Sequence, residues 1–251
     1  MRAVLISVAV AFQFLTIVPP PLRRKVSPEE LGKSVTFFPL VGLLMGLLLF
    51  GLHRLLSAIF PVTVAAAILL AVWIACSGAL HFDGLLDAAD GLLGGRTPED
   101  RMRILRDERV GAFAVAAGGT VLLLKFAAMG SIGAASALIA APVVGRWLTS
   151  IAVILFSYAR PDGLGRDLKD NAGWPQAAGA TAIAAATLGL LAPSVGIAAT
   201  GAAVVLVCIS AWLLVRFTLS RIPGLTGDIY GALCEVGETV CIVTLAANWA
   251  A

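Results

Sequence analysis

The stretch HFDGLLDAADGLLGG, residues 81–95, sets Asp83, Asp87 and Asp90 within eight residues at the end of a long apolar run. On a helix turning about 100° per residue these positions fall within an arc of about 60°. They cover roughly 10 Å of helix at about 1.5 Å per residue. Like charges stacked at this spacing repel one another and destabilise a bare helix. A bound divalent cation relieves the repulsion. An all-oxygen ligand set favours Mg²⁺, which keeps several waters and bridges to substrate phosphates. The bland alternative is a solvated helix end whose acids pair with nearby arginines, but no base is interleaved before Arg96.

Downstream, GGRTPEDRMRILRDERVGAF (94–113) carries five arginines and then resumes an apolar run. Guanidinium forks suit phosphate oxygens, and Gly94 and Gly95 permit close backbone approach. Arg96, Arg106 and Arg109 are the phosphate-binding candidates, and Asp107 is a further carboxylate, as metal ligand or base. Near the C-terminus Asp228, Glu235 and Glu238 recur at i, i+7 and i+10. Asp228 reads as a substrate contact or as a helix N-cap. Glu235 lies deeper in an apolar segment, where a carboxylate points to a second metal, a substrate contact or a general base. His81 reads as a substrate contact or proton relay, or as a structural hydrogen bond. Arg146 lies within an apolar segment and requires the site or a carboxylate as partner. Trp174 could stack on a base, although an interfacial anchor is the default for such a tryptophan.

The elements that must position these groups follow from composition. The 251-residue chain is 59% hydrophobic and 13% charged, with mean hydropathy +0.96. Soluble domains carry about 25% charged residues, so the chain is read as an integral membrane protein. Apolar segments run over about 3–18, 35–52, 60–82, 110–130, 132–156, 177–193, 195–217 and 229–247. The expected fold is all-α: one domain over 1–251, a polytopic helix bundle with seven or eight transmembrane helices. Abundant glycine and alanine favour close packing, and the alternating pattern of a β-barrel is missing. Nothing before His81 is read as a breaker, so segment 60–82 is expected to continue as one helix through the aspartates.

Basic residues cluster in alternate loops: Arg23, Arg24, Lys25 and Lys33; the five arginines of 94–113; Arg160, Arg166 and Lys169; and Arg216 and Arg221. The positive-inside rule makes that side cytoplasmic. The acids share it, which predicts a polar active face there. The net charge of +3 reflects topology, and no nucleic-acid partner is expected. The four cysteines lack a CxxC pair and read as inert buried thiols.

On these residues the chain resembles a known family. GALHFDGLLDAADGLLGGR with RDERVGAFAV is similar to the cobalamin synthases, the adenosylcobinamide-GDP ribazoletransferases. The resemblance extends to FLTIVPPP, FFPLVGLLMG, YARPDGLG and GLTGDIYGALCEVGE, in order. It implies a Mg²⁺-dependent enzyme of a bacterial or archaeal cytoplasmic (inner) membrane. Such an enzyme joins α-ribazole, or its 5′-phosphate, to adenosylcobinamide-GDP and releases GMP. The ribazole 5′-hydroxyl is expected to attack the phosphorus attached to cobinamide, with Mg²⁺ on Asp83, Asp87, Asp90 and Asp107. Other cobamide-assembly enzymes or a homo-oligomer are the expected partners beside the lipid bilayer. The alternatives are a CDP-alcohol-type phosphotransferase acting on lipid head groups and a cation-coupled transporter. The first has a pattern that DGLLDA breaks at Asp87 and Ala88. The second lacks a visible internal repeat.

Overall fold

In lipid every backbone N–H and C=O must be satisfied within the protein, and an apolar segment does so by forming a helix. The computed structural model describes residues 2–19, 22, 24–131 and 135–247. The start of segment 132–156, Arg23 and the C-terminal Trp249 lie outside them. The helices are α1 (Arg2–Leu15), α2 (Pro28–Ser34), α3 (Phe38–Leu56), α4 (Val62–Cys76), α5 (Leu80–Gly94) and α6 (Pro98–Ile104). They continue with α7 (Ala112–Ser131), α8 (Ala137–Leu155), α9 (Leu164–Asn171), α10 (Trp174–Val195), α11 (Ile197–Leu219) and α12 (Gly227–Leu245). No strand forms among the described residues, as the all-α reading requires.

Five helical runs are long and apolar enough to cross a membrane: 28–56, α7, α8, α10 and α11. The bent pair α4–α5 makes a sixth. The chain is a multi-pass membrane protein. The remaining apolar segments fall short of the seven or eight expected spans for different reasons. Helix α1 has only 14 residues, about 21 Å at 1.5 Å each. Helix α12 carries Asp228, Glu235 and Glu238 along its 19 residues.

Helix α8 is the axis of the bundle, packed against α3, α10 and α12 and buried over most of its length. Small residues permit this: a Cβ on Gly46 of α3 would lie 2.6 Å from Ile139 Cα of α8. The outer faces of α7, α10 and α11 expose Leu123, Leu190, Ile197 and Trp212, as lipid-facing helices do.

The structure corrects one expectation. The run through the aspartates is not one helix: α4 stops at Cys76, and α5 leaves at an angle of 87°. Gly78 N–H donates to Ala75 O at 2.9 Å and Ala79 N–H to Ile74 O at 3.0 Å, the paired bonds of a Schellman stop. Gly78 and Ala79 both have φ near +59°, a conformation glycine adopts freely and alanine only under constraint. Gly78 was therefore the breaker. The chain following α1 seals the break, with Ile17 N–H donating to Cys76 O at 3.0 Å.

Candidate active site

Two glycines set the geometry. Helices α5 and α12 cross where a Cβ on Gly84 would lie 2.9 Å from Asp228 O, and one on Gly231 2.9 Å from His81 O. This crossing brings the start of the aspartate helix against the N-terminus of α12. There Thr226 caps the helix, its hydroxyl accepting from Ile229 N–H. Asp228 is thus not the N-cap. It accepts from Arg160 Nη2 at 2.6 Å and from the Thr226 hydroxyl at 3.1 Å.

Arg160 arrives on the segment after α8. That segment is pinned by Ala159 N–H donating to Leu225 O at 2.7 Å and Leu225 N–H to Ser157 O at 2.8 Å. Arg160 also donates to Leu105 O at 3.0 Å, and its buried Nε has no partner. With Arg221 donating to Leu92 O at 3.2 Å, the loops after α5, α8 and α11 meet at one end of the bundle. There a cavity of about 450 Å³ is lined by His81, Asp83, Arg106, Tyr158, Arg160, Asp228 and Tyr230, among apolar side chains from α1, α5 and α9. Burial raises the Tyr158 phenol above its ordinary value, so it stays protonated.

The expected residues divide. Asp83 lines the cavity, and Asp87 lies within electrostatic reach of Asp83, Asp90 and Asp228. Neither the Asp83 nor the Asp87 carboxylate has a hydrogen bond or ion pair among the described residues. Asp90 has another task. Its carboxylate accepts from Gly111 N–H at 2.6 Å and Ala114 N–H at 3.0 Å, satisfying orphan donors at the start of α7. Asp107 is engaged by Arg109, whose Nε and Nη2 donate to it at 2.9 and 2.7 Å. Those bonds hold its carboxyl down at about 2, a poor match for a general base near neutral pH. Arg106 lines both the cavity and a shallow cleft shared with Arg103, Asp107 and Arg109. The exposed Arg96 lines neither.

Glu235 is not in the cavity. It lies inside the bundle, accepting from Lys125 Nζ at 2.7 Å, beside Glu238, which pairs with both Lys125 and Arg146. The requirement that Arg146 find a carboxylate is met. Trp174 is exposed at the start of α10 and lines none of the cavities described here. Sequence reasoning missed Arg160, Tyr158 and Tyr230. Arg160 was counted only for topology, although YARPDGLG carried the signal.

Among the described residues no three His, Cys, Asp or Glu side chains converge as a ready metal cage. Mg²⁺ does not require one, since it is commonly held by one or two carboxylates plus waters and substrate phosphates. The free carboxylates of Asp83 and Asp87, one turn apart, fit that donor chemistry.

The family described as cobalamin-5-phosphate synthase matches residues 7–246. A protein of Pseudomonas paraeruginosa, "Adenosylcobinamide-GDP ribazoletransferase", is 40% identical over 250 residues, covering 98% of this chain and all of that one. Proteins of the same name from Desulforamulus reducens and Roseiflexus sp. are 40% and 36% identical. They cover 93% and 94% of this chain and 93% and 87% of their own length. No solved structure matches. A match over nearly the whole chain, through the aspartate helix and the α12 N-terminus alike, places this protein in the cobalamin-5-phosphate synthase family.

Proposed function

We propose that the protein is a Mg²⁺-dependent transferase of cobamide assembly, joining α-ribazole or its 5′-phosphate to adenosylcobinamide-GDP with release of GMP. The reading is supported by the names of its relatives and carried by one observation. The unpaired carboxylate of Asp83 lines the cavity together with the Asp228–Arg160 pair, and that of Asp87, one turn along α5, lies within electrostatic reach of both members of the pair.

Asp83 and Asp87 would hold Mg²⁺, which would neutralise diphosphate charge and polarise the phosphoryl oxygens. Arg106 and Arg160 would take phosphate oxygens, the unpartnered Arg160 Nε giving one free donor. An acceptor hydroxyl oxygen forms a bond to the phosphorus bearing cobinamide. The bridging P–O bond to GMP breaks, and GMP leaves with that oxygen. The hydroxyl proton passes to Asp228, a cavity carboxylate not assigned to Mg²⁺, and then to solvent. The 5′-hydroxyl expected from the resemblance fails for the 5′-phosphate, which has none. A single mechanism for both acceptors uses a hydroxyl on the ribose ring.

A site facing the cytoplasm from a bacterial or archaeal inner membrane is part of the same proposal, supported by the basic loops at the cavity end and the positive-inside rule. The test is purified protein in detergent with adenosylcobinamide-GDP, α-ribazole and Mg²⁺, following cobalamin and GMP, with Asp83→Asn alongside. Both products from wild type and neither from a folded variant support the reading. CMP release from CDP-alcohols, or ion flux without GMP, overturns it.

A further inference from the structure

Among the cavity's polar groups that the transfer step leaves unused, two are buried without a side-chain hydrogen bond. Tyr230 is only 4% exposed, and its hydroxyl has no hydrogen-bond partner. Buried polar atoms without partners are rare and costly in folded proteins. His81 is also 4% exposed and makes no hydrogen bond among the described residues, although each ring nitrogen can donate or accept. Both side chains line the cavity. The Tyr230 ring stacks on Tyr158, with centroids 5.9 Å apart and planes 27° from parallel, while Phe14, Leu80 and Leu164 add apolar wall.

The aromatic wall of Tyr158 and Tyr230, with two buried hydrogen-bonding groups free and the charged side chains elsewhere in the lining, suits a flat heteroaromatic ring with few polar atoms. On the functional reading above, the reaction offers three large groups. A corrinoid far exceeds about 450 Å³. Guanine presents a polar edge that needs several matched donors and acceptors; the buried Tyr158–Tyr230 wall does not supply them, and the one cavity carboxylate neither paired nor given to Mg²⁺, Asp162, is exposed. The benzimidazole of α-ribazole is apolar apart from one free ring nitrogen.

Resting on that reading, we propose that this cavity is the acceptor subsite. The benzimidazole packs against Tyr158 and Tyr230, its ring nitrogen hydrogen-bonds to the Tyr230 hydroxyl or His81, and the ribose lies toward Asp83 and Asp228.

The experiment measures binding of α-ribazole alone to the full-length protein in detergent by calorimetric titration, and the KM of each substrate in turnover. Wild type is compared with Tyr230→Phe and Tyr158→Leu. Tyr230→Phe removes an unpartnered hydroxyl and leaves the unliganded protein at least as thermally stable. It weakens α-ribazole binding and raises its KM about five- to tenfold, the scale of one hydrogen bond, with the KM for adenosylcobinamide-GDP within about twofold of wild type. A rise in the corrinoid KM instead, or no change in α-ribazole affinity in either variant while wild type still releases GMP, overturns the subsite and leaves the function standing. Wild type that neither binds α-ribazole nor releases GMP overturns both.

Discussion

Lys125 on α7 lies 2.6 Å from Glu238 on α12, inside the bundle, and the same ammonium reaches Glu235 at 2.7 Å. Arg146 on α8 pairs with Glu238 from the other side and rests on Met45 Sδ at 3.3 Å, while Lys125 stands 4.4 Å from the centre of the Trp73 ring. Two cations and two anions thus cancel at buried positions, tying α7, α8 and α12 together. The acids at depth are thereby absorbed by a structural network.

Removing one member strands the others. Lys125→Met is expected to destabilise the fold by about 3–5 kcal/mol, the scale for an orphaned buried charge. Adding Glu235→Gln restores neutrality and recovers most of that loss. Thermal unfolding in detergent reads both. A double variant no more stable than Lys125→Met alone would show that the network does not act through charge balance.

Asp90 separates anchoring from catalysis. Asp90 uses both oxygens, so Asn keeps one of the two acceptor contacts and Ala neither, loss of a capping acceptor costing about 0.5–2 kcal/mol. Asp90→Asn should therefore keep its activity within about tenfold, and Asp90→Ala should lose stability at α7. Asp83→Asn should lower GMP release about a thousandfold, roughly 4 kcal/mol of barrier. Equal loss in Asp83→Asn and Asp90→Asn would return Asp90 to the metal.

The all-helical membrane fold was legible because a composition with so little charge permits almost nothing else in lipid. The aspartate face was legible because i, i+4 and i+7 is a local property. What sequence could not show was how acids on one face divide between tasks. Asp90 caps a helix that begins at Ala112, and Asp107 folds back on Arg109, through contacts that spacing along α5 does not encode. The Lys125–Glu235 pair joins residues 110 apart in sequence. The break at Gly78 was readable, since a glycine inside an apolar helical run is a candidate C-cap, but it was hidden by uninterrupted hydropathy.

The α5–α12 crossing should be intolerant of bulk. In Gly231→Ala the new methyl would meet His81 O at 2.9 Å and Gly84 Cα at 3.1 Å, and both contacts are backbone that cannot swing aside. Overpacking of this kind costs about 1–3 kcal/mol, and the forced separation moves Asp83 from Asp228. The expected result is a loss of kcat larger than the loss of thermal stability accounts for at the assay temperature. Gly119→Ala, which meets nothing within 4 Å, should change neither.

Metal dependence discriminates among the carboxylates most directly. Chelation by EDTA should abolish GMP release, and added Mg²⁺ should restore it. If Asp87 holds the ion with Asp83, Asp87→Asn should raise the Mg²⁺ concentration for half-maximal rate at least about tenfold, the lower end of losses seen when a metal site's own supports are removed. Asp107→Asn should leave it unchanged, because both Asp107 oxygens are already bonded to Arg109. The expected order of Mg²⁺ requirement is therefore Asp87→Asn well above wild type, with Asp107→Asn equal to wild type. An equal shift in Asp107→Asn would mean that this carboxylate leaves Arg109 and joins the ion during turnover, and the two-aspartate site would be wrong.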